Sequence, residues 1–448
     1  MDSTRSLRRV LWMAVVGFAL LGAVLSQANT AKEPQQNVPR DALGAASPEY
    51  QQKALAKLMP ERDVSKITEV FDPVIRNAFI PKDNDLTAKR VELGKKLYFD
   101  KRLSADGTVS CATCHDVTRG FTDQLAVSKG IDGQLGKRNA PTTLNSILLQ
   151  TLFWDGRSPT LDNQAKQPIL NPVEMGMADE NAAMKAIRGD PEYQKMFREA
   201  YGRDMNYEDL GRAIGAFERT LVFMDSPFRR FLAGDDRAIS AEAQAGFELY
   251  NGKARCAACH PMSPSNPLGT DNRFHNVGVS ARHQDFEALG RRAVKLLKED
   301  SSEQKLDELA VGTDLSELGR FMVTRNRVDM GSFRTPLILN VGITPPYMHD
   351  GSLMTLWDVI DHYNKGGEAN PFLDGGIEPL ALTEEEINQL VAFLFTLTDV
   401  RFADENQRQF NRQQAAAKKN RPIRDEAIAN RQVIPFEKRV MGTKATKK

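Results

Sequence analysis

The sequence predicts a mainly α-helical protein built from two similar halves. Three observations predict it: a Cys-x-x-Cys-His motif stands in each half, a similar short segment precedes each motif, and a similar helical pattern follows each one. Strand-like alternation is rare along the 448 residues. Because the same features recur in the same order, we interpret the chain as an internal duplication.

The segments around the two motifs share several residues. Residues 94–98 (GKKLY) precede the first motif and residues 246–250 (GFELY) precede the second. Residues 216–221 (AFERTL), after the first motif, resemble residues 392–397 (AFLFTL), after the second. Both later segments carry apolar residues at helical spacing. Each half is therefore predicted to contain a helix, a motif, long loops and a second helix. The clearest helix start is a capping box at 383–386.

Each motif is a site for covalent attachment of a c-type haem. Such a haem needs two thiols for its vinyl groups and an imidazole for its iron, and one turn of Cys-x-x-Cys-His supplies all three. A four-cysteine zinc site or a thioredoxin-like redox pair requires no His after the second Cys. We therefore expect two cytochrome c-like domains with two covalently bound haem c groups, held by Cys111, Cys114, His115, Cys256, Cys259 and His260.

The predicted organisation has five parts. They are a signal peptide at 1–28, an arm at 29–80, an N-terminal haem domain at 81–235, a C-terminal haem domain at 236–402, and a basic tail at 403–448. The tail holds twelve Lys and Arg against five Asp and Glu, and we expect it to be solvated or disordered. A charged helical insertion at 284–309 is either a partner-facing surface or a solvated excursion, and we favour the solvated excursion.

The N-terminal segment predicts export to the periplasm. Arg5, Arg8 and Arg9 precede an apolar run at 10–25, and small residues follow at a cleavage position. The alternative is a retained membrane anchor, because the run is only slightly shorter than a spanning helix. The formal net charge of +1 indicates no nucleic-acid partner.

The distribution of histidine makes the two haems unequal. None of the six His lies between His115 and His260, so no local His completes the coordination of the first iron. An open haem that splits peroxide needs an acid/base group beside it. Glu174 is a candidate because apolar neighbours would raise its pKa if it were buried. The alternative is an ordinary surface-loop glutamate.

At this point the motifs match a known family. Over roughly residues 85–400 the chain resembles the bacterial di-haem cytochrome c peroxidase/MauG family. Besides the two haem motifs, the shared segments, in order, are 138–142 (RNAPT), 153–157 (FWDGR), Gln164, Pro168, 171–175 (NPVEM), 333–336 (FRTP) and 346–351 (PYMHDG).

The resemblance implies roles for individual residues. Trp154 is implied to relay charge between the haems. Gln164 and Glu174 are implied to line the peroxide pocket of a peroxidatic N-terminal domain. Asn139, with the backbone carbonyls of Thr344 and Pro346, is implied to bind one calcium ion.

The resemblance also implies a ligand for the second haem. Tyr363 ends a segment similar to the one that carries this ligand in MauG-like members, where Tyr replaces the Met of ordinary peroxidases. Other candidates are His362 and three methionines, Met330, Met348 and Met354.

The implied activity is reduction of hydrogen peroxide by electrons from a small cytochrome or cupredoxin, or oxidation of a partner protein. Residues 128–133 lack the His that blocks the first haem in ordinary members, so reaction without prior reduction is expected. The alternatives are a non-enzymatic di-haem electron-transfer cytochrome and an oxygen-dependent di-haem oxygenase. The sequence leaves a homodimer open.

Overall fold

Helices dominate the computed structural model of the chain. The structure describes residues 38–60, 79–263, 266–280, 285–420 and 436–442. The predicted signal peptide lies outside these residues. From Arg40 onward, the described residues belong to one compact unit. Within the described ranges, no helix has both the length and the apolar character needed to cross a bilayer.

The helices of the described residues are numbered in chain order. Those of the first half are α1 (Pro48–Leu58), α2 (Ala88–Tyr98), α3 (Cys111–Cys114), α4 (Leu161–Gln164), α5 (Gln167–Leu170), α6 (Glu180–Arg188), α7 (Pro191–Tyr201), α8 (Tyr207–Glu218) and α9 (Pro227–Leu232). Those of the second half are α10 (Ala241–Asn251), α11 (Phe286–Glu299), α12 (Glu303–Gly312), α13 (Phe321–Thr324), α14 (Leu356–Asn364), α15 (Glu384–Phe395), α16 (Ala403–Asn420) and α17 (Phe436–Arg439). Two short strands, β1 (Phe274–His275) and β2 (Phe333–Arg334), pair antiparallel. The predicted mainly α-helical class is confirmed.

The internal duplication is visible in two matching helix pairs. α2 packs on α8, and α10 packs on α15, with a glycine at each crossing. A Cβ atom on Gly94 would lie 1.7 Å from the carbonyl oxygen of Ala213, and one on Gly246 would lie 2.0 Å from that of Gln389. Only glycine allows this approach of the two backbones. The predicted capping box also forms, between Thr383 and Glu386 at the start of α15.

The buried apolar side chains form three clusters. One surrounds α2 and α8, a second surrounds α10 and α15, and a third is built by α11, α12 and the following residues up to Met330. The interpretation of 284–309 as a solvated excursion is wrong for its described part. The apolar stripe of α11, which includes Phe286, Leu289 and Ala293, is buried against later residues such as Phe321.

Two segments outside the predicted haem domains, the arm and the basic tail, pack against the core in their described parts. In α16, Phe410 is 1% exposed and contacts Phe395 at 5.0 Å between ring centroids, so residues 403–420 do not form a solvated tail. In the arm, Gln51 of α1 donates to the carbonyl oxygen of Ala112 at 2.9 Å, and Arg40 pairs with Asp116 at 2.8 Å. The described part of the arm therefore supports the first haem motif.

Candidate active site

Both Cys-x-x-Cys-His motifs border one cavity of about 400 Å³. Its wall includes all six motif residues, Cys111, Cys114, His115, Cys256, Cys259 and His260. None of the four cysteines forms a disulfide in the structure, so all four thiols can form thioethers. The structure thus brings the two predicted haem-attachment sites together.

The first motif holds its histidine in the form that binds iron. The short helix α3 ends at Cys114, and the Nδ1 atom of His115 lies 3.3 Å from the carbonyl oxygen of Phe121. This contact assigns the proton to Nδ1 and leaves Nε2 for the metal. Burial lowers the pKa of His115 to about 4, which keeps the ring neutral. Tyr98 donates to the carbonyl oxygen of His115 at 3.0 Å.

The second motif repeats this arrangement. The Nδ1 atom of His260 lies 2.8 Å from the carbonyl oxygen of Gly269, and Tyr250 donates to the carbonyl oxygen of His260. Burial lowers the pKa of His260 as well. The residue before the second motif differs from the one before the first, since Arg255 adopts a left-handed conformation with φ of 54°.

A buried arginine tests whether the cavity suits haem. Arg138 is 9% exposed, and its Nε and Nη1 atoms have no hydrogen-bond partner. It lies over the Phe333 ring at 4.7 Å, and His349 stacks on the same ring at a centroid distance of 3.7 Å. A buried cation with free N–H groups is satisfied by a carboxylate, and haem carries two. Together with the thiols and neutral imidazoles, Arg138 makes the cavity fit two haem groups.

Glu174 and Gln164 border the same cavity. The Oε2 atom of Glu174 is buried without a hydrogen-bond partner. Burial, and next the nearby Asp307 carboxylate, raise the pKa of Glu174 above its ordinary value, while the Arg157 cation opposes them. The structure therefore buries the Oε2 atom of Glu174, and the acid/base role of this residue stays a prediction.

The segment 128–133, which lacks His, contacts the turn that carries Glu174. Ile131 donates to the carbonyl oxygen of Glu174 at 2.9 Å. A Cβ atom on Gly130 would lie only 1.8 Å from the carbonyl oxygen of Val173, so this contact requires glycine.

Trp154 borders the cavity and is hydrogen-bonded on two sides. Its Nε1 atom donates to the carbonyl oxygen of Asn139 at 2.9 Å, and its own carbonyl oxygen accepts from the amide of Arg334 at 2.7 Å. One contact comes from each half of the chain, which fixes the indole where the halves meet.

Asn139, Thr344 and Pro346, the residues implied to bind calcium, all border the cavity. The Nδ2 atom of Asn139 donates to the carbonyl oxygen of Leu125 at 2.9 Å. The Oδ1 atom is therefore the side-chain atom that Asn139 can offer to a cation.

Two of the five candidates for the second haem ligand border the cavity, Tyr363 on α14 and Met348. Burial raises the pKa of Tyr363. The others lie elsewhere: the Nε2 atom of His362 is 2.8 Å from a backbone carbonyl oxygen, Met330 is buried in the third cluster, and Met354 is 53% exposed.

Sequence reasoning missed two buried carboxylates. Asp307 on α12 pairs with Arg157, and nothing in the local sequence connects residues so far apart. Glu218 at the end of α8 is 4% exposed, borders the cavity, and has an Oε2 atom without a partner. The repeat offered a signal for it, because Glu218 occupies the position of Leu394, which also borders the cavity.

His275 lies beside Cys259 in the cavity wall. Its Nε2 atom contacts Asp271 at 2.9 Å and its Nδ1 atom contacts Asp374. Chiefly the Asp374 contact raises the pKa of His275 to about 11. His275 is therefore an ion-paired residue that links β1 to the loops carrying Asp271 and Asp374.

Comparisons with known proteins agree with this geometry. Residues 88–237 match the family described as di-haem cytochrome c peroxidase. The chain is 37% identical over 319 residues to the methylamine utilization protein MauG of Methylorubrum extorquens, covering 71% of this chain and 80% of that protein. It is 38% identical over 322 residues to cytochrome-c peroxidase IdrP1 of Denitromonas iodatirespirans, covering 71% and 84%. A MauG-like protein associated with microbial copper homeostasis has a similar crystal structure, with a TM-score of 0.59, 32% identity, and coverage of 72% and 95%.

Proposed function

Because this chain belongs to the di-haem cytochrome c peroxidase family and is a haem-dependent peroxidase with two c-type haems, we propose that its two sites have different tasks. The His115 site takes up hydrogen peroxide, and the His260 site receives electrons from a donor protein. Family membership does not favour the electron-transfer cytochrome or the oxygen-dependent oxygenase.

The observation that carries this proposal is the buried, unpartnered Oε2 atom of Glu174 in the cavity that His115 also borders. When bound, the haem iron supplies the redox chemistry that reduces peroxide to water. Glu174 accepts a proton from one peroxide oxygen and delivers it to the other, which leaves as water. The Gln164 amide orients the peroxide by hydrogen bonding.

Replacing the carboxyl tests this role. Glu174→Gln keeps the shape but cannot accept the proton, so the reaction with peroxide should slow by about 100-fold or more. Stopped-flow absorbance after addition of hydrogen peroxide measures the rate. Glu180→Gln, at an exposed position, is the control. A native rate in Glu174→Gln would exclude Glu174 as the acid/base group.

Tyr363 is proposed as the residue that, with His260, would hold the iron of the second haem, with support from its burial and its position in the cavity wall. A phenolate oxygen is a hard, anionic ligand, which favours higher oxidation states of iron. Trp154 is proposed to relay oxidising equivalents between the sites, with support from its contacts to both halves. Residues 81–235 then form the peroxidatic domain and residues 236–402 the electron-transfer domain.

One calcium ion, bound by Asn139 and the carbonyls of Thr344 and Pro346, is proposed to hold the halves together. Its support is the shared position of the three residues in the cavity wall. Chelation of calcium should then slow transfer between the haems without releasing either haem, which absorbance spectra can follow.

Residues 1–28 are proposed to direct export to the periplasm, where covalent haem attachment takes place, with a retained membrane anchor as the alternative. The donor is proposed to be a small cytochrome or cupredoxin, or a partner protein that is itself oxidised. Steady-state peroxide turnover with each reduced donor distinguishes these, and sedimentation tests for a homodimer.

A further inference from the structure

Helix α12 reaches the peroxide pocket through a buried carboxylate. Asp307 on α12 is 2% exposed. Its Oδ1 atom accepts from the Nε and Nη2 atoms of Arg157 at 2.9 and 2.5 Å, and its Oδ2 atom accepts from the Nδ2 atom of Asn171. A buried carboxylate is tolerated because both of its oxygens are satisfied.

Asn171 in turn builds the turn that carries Glu174. Its Oδ1 atom accepts from the amide of Val173 at 2.9 Å, and its carbonyl oxygen accepts from the amide of Glu174 at 3.1 Å. By binding Nδ2, Asp307 orients the Asn171 amide so that Oδ1 faces Val173. The same helix packs against this turn, since a Cβ atom on Gly312 would lie 3.2 Å from the Cγ2 atom of Val173, and Val311 borders the cavity.

Two charged groups act directly on Glu174, the Asp307 carboxylate and the Arg157 cation. Arg157 pairs with Asp155 at 3.0 Å as well as with Asp307. Arg138 lies 3.9 Å from Asp155 and also faces Glu317 and Asp350. Neutralising Asp307 would remove the carboxylate that opposes ionisation of Glu174 and keep the Arg157 cation that favours it.

We propose that Asp307 is a positioning residue for Glu174, holding its turn through Asn171 and setting its electrostatic surroundings together with Arg157. This inference rests on the proposed role of Glu174 in the reaction with peroxide. It gives α12 a task, which is to support the wall of the peroxide pocket.

Two variants separate the two effects of Asp307. Asp307→Asn removes the negative charge, so Glu174 ionises more easily. The acid limb, which is the fall in the rate of reaction with peroxide at low pH, should then move to lower pH by about one unit. Asn171→Ala leaves every charge in place but loosens the turn, so the rate at high pH should fall roughly 10- to 100-fold without movement of the acid limb. Glu308→Gln, an exposed neighbour on α12, is the control and should change neither.

A second readout does not depend on turnover. The infrared carboxyl band that disappears in Glu174→Gln titrates with Glu174, and in Asp307→Asn it should titrate at lower pH. The rate of cyanide binding, which also needs a proton acceptor, should shift in parallel. Both measurements are made on the haem-loaded protein, whose absorbance spectrum also reports its folding and haem content.

The outcomes distinguish this inference from the proposed function. If Asp307→Asn loads haem and its acid limb and infrared titration match those of the native protein, while Glu174→Gln is slow, the inference about Asp307 is wrong and the function stands. If Glu174→Gln itself reacts at the native rate, the proposed function fails first. If Asp307→Asn does not fold, a native high-pH rate in Asn171→Ala overturns the positioning role.

Discussion

In the first half of the molecule Tyr98 donates to the carbonyl oxygen of His115, and in the second half Tyr250 donates to that of His260. In both halves a glycine lets the preceding helix contact the following one. The side chains that face the cavity differ, since α8 presents Glu218 where α15 presents Leu394. The comparison teaches that the duplicated helices and turns position the iron-binding His in both halves. The chemical difference between the halves comes from side chains that face the cavity and take no part in this positioning.

The largest expected effect concerns Glu218. Burial raises its pKa from the ordinary 4.5 to about 8. Below pH 4.5 the carboxyl is protonated in both the folded and the unfolded chain. Between pH 4.5 and about 8 only the unfolded chain releases the proton, so folding stability falls as the pH rises. Glu218→Gln should therefore be equal to the native protein near pH 4 and more stable at pH 8, by up to about 4 kcal/mol.

Thermal unfolding across this pH range measures the Glu218 effect. Glu208→Gln, an exposed position on the same helix, should show no such dependence. If the stability difference between Glu218→Gln and the native protein did not change with pH, Glu218 would not titrate as a buried group, and this contrast between the halves would be wrong.

The two glycine crossings test whether the halves share one scaffold. Gly94→Ala and Gly246→Ala each place a methyl group against a backbone carbonyl, and each should cost about 3 kcal/mol of stability. Denaturant unfolding measures the loss. Gly189→Ala, where the added atom meets nothing within 4 Å, is the control. A large loss in only one half would mean that the crossings are not equivalent.

Tyr363→Phe tests the inequality of the haem sites. It removes the proposed oxygen ligand, so the absorbance and paramagnetic resonance spectra of the second site should change and donor oxidation should fall about 10-fold or more. Tyr347→Phe alters another tyrosine in the same cavity wall and should leave both spectra native. Native spectra in Tyr363→Phe would favour Met348 as the ligand.

The smallest expected effect lies at Arg255, whose left-handed backbone has no counterpart before the first motif, where Ser110 is extended. Arg255→Gly and Arg255→Ala both lose the exposed pair with Glu378, but only glycine relieves the backbone. The Gly variant should be more stable than the Ala variant by about 1 kcal/mol. Equal unfolding midpoints would show that the turn is not strained.

Local patterns predicted the local features of this molecule. Spacing alone predicted the haem motifs, the capping box at Thr383, and the helices before and after each motif, but not the glycine crossings at which these helices pack. The apolar stripe of α11 predicted a helix but not its burial, because the partner residues come later in the chain. Asp307 could not be predicted as part of the pocket, since its partner Arg157 lies 150 residues away in sequence. The roles of Glu174, Trp154, Tyr363 and the calcium ligands stay predictions.

The contact between Arg157 and Asp307 has a consequence for modularity. A duplicated chain invites the expectation that either half could be produced, exchanged or evolved as a separate unit. Here the first half contributes Arg157 and Asn171 to a buried network that only the second half completes. A chain ending at residue 235 would keep the first haem motif and the pair between Arg157 and Asp155, but Arg157 and the Nδ2 atom of Asn171 would both lose Asp307 as a partner beside the pocket. Engineering of this molecule should therefore place its cuts and fusions at the termini rather than between the halves.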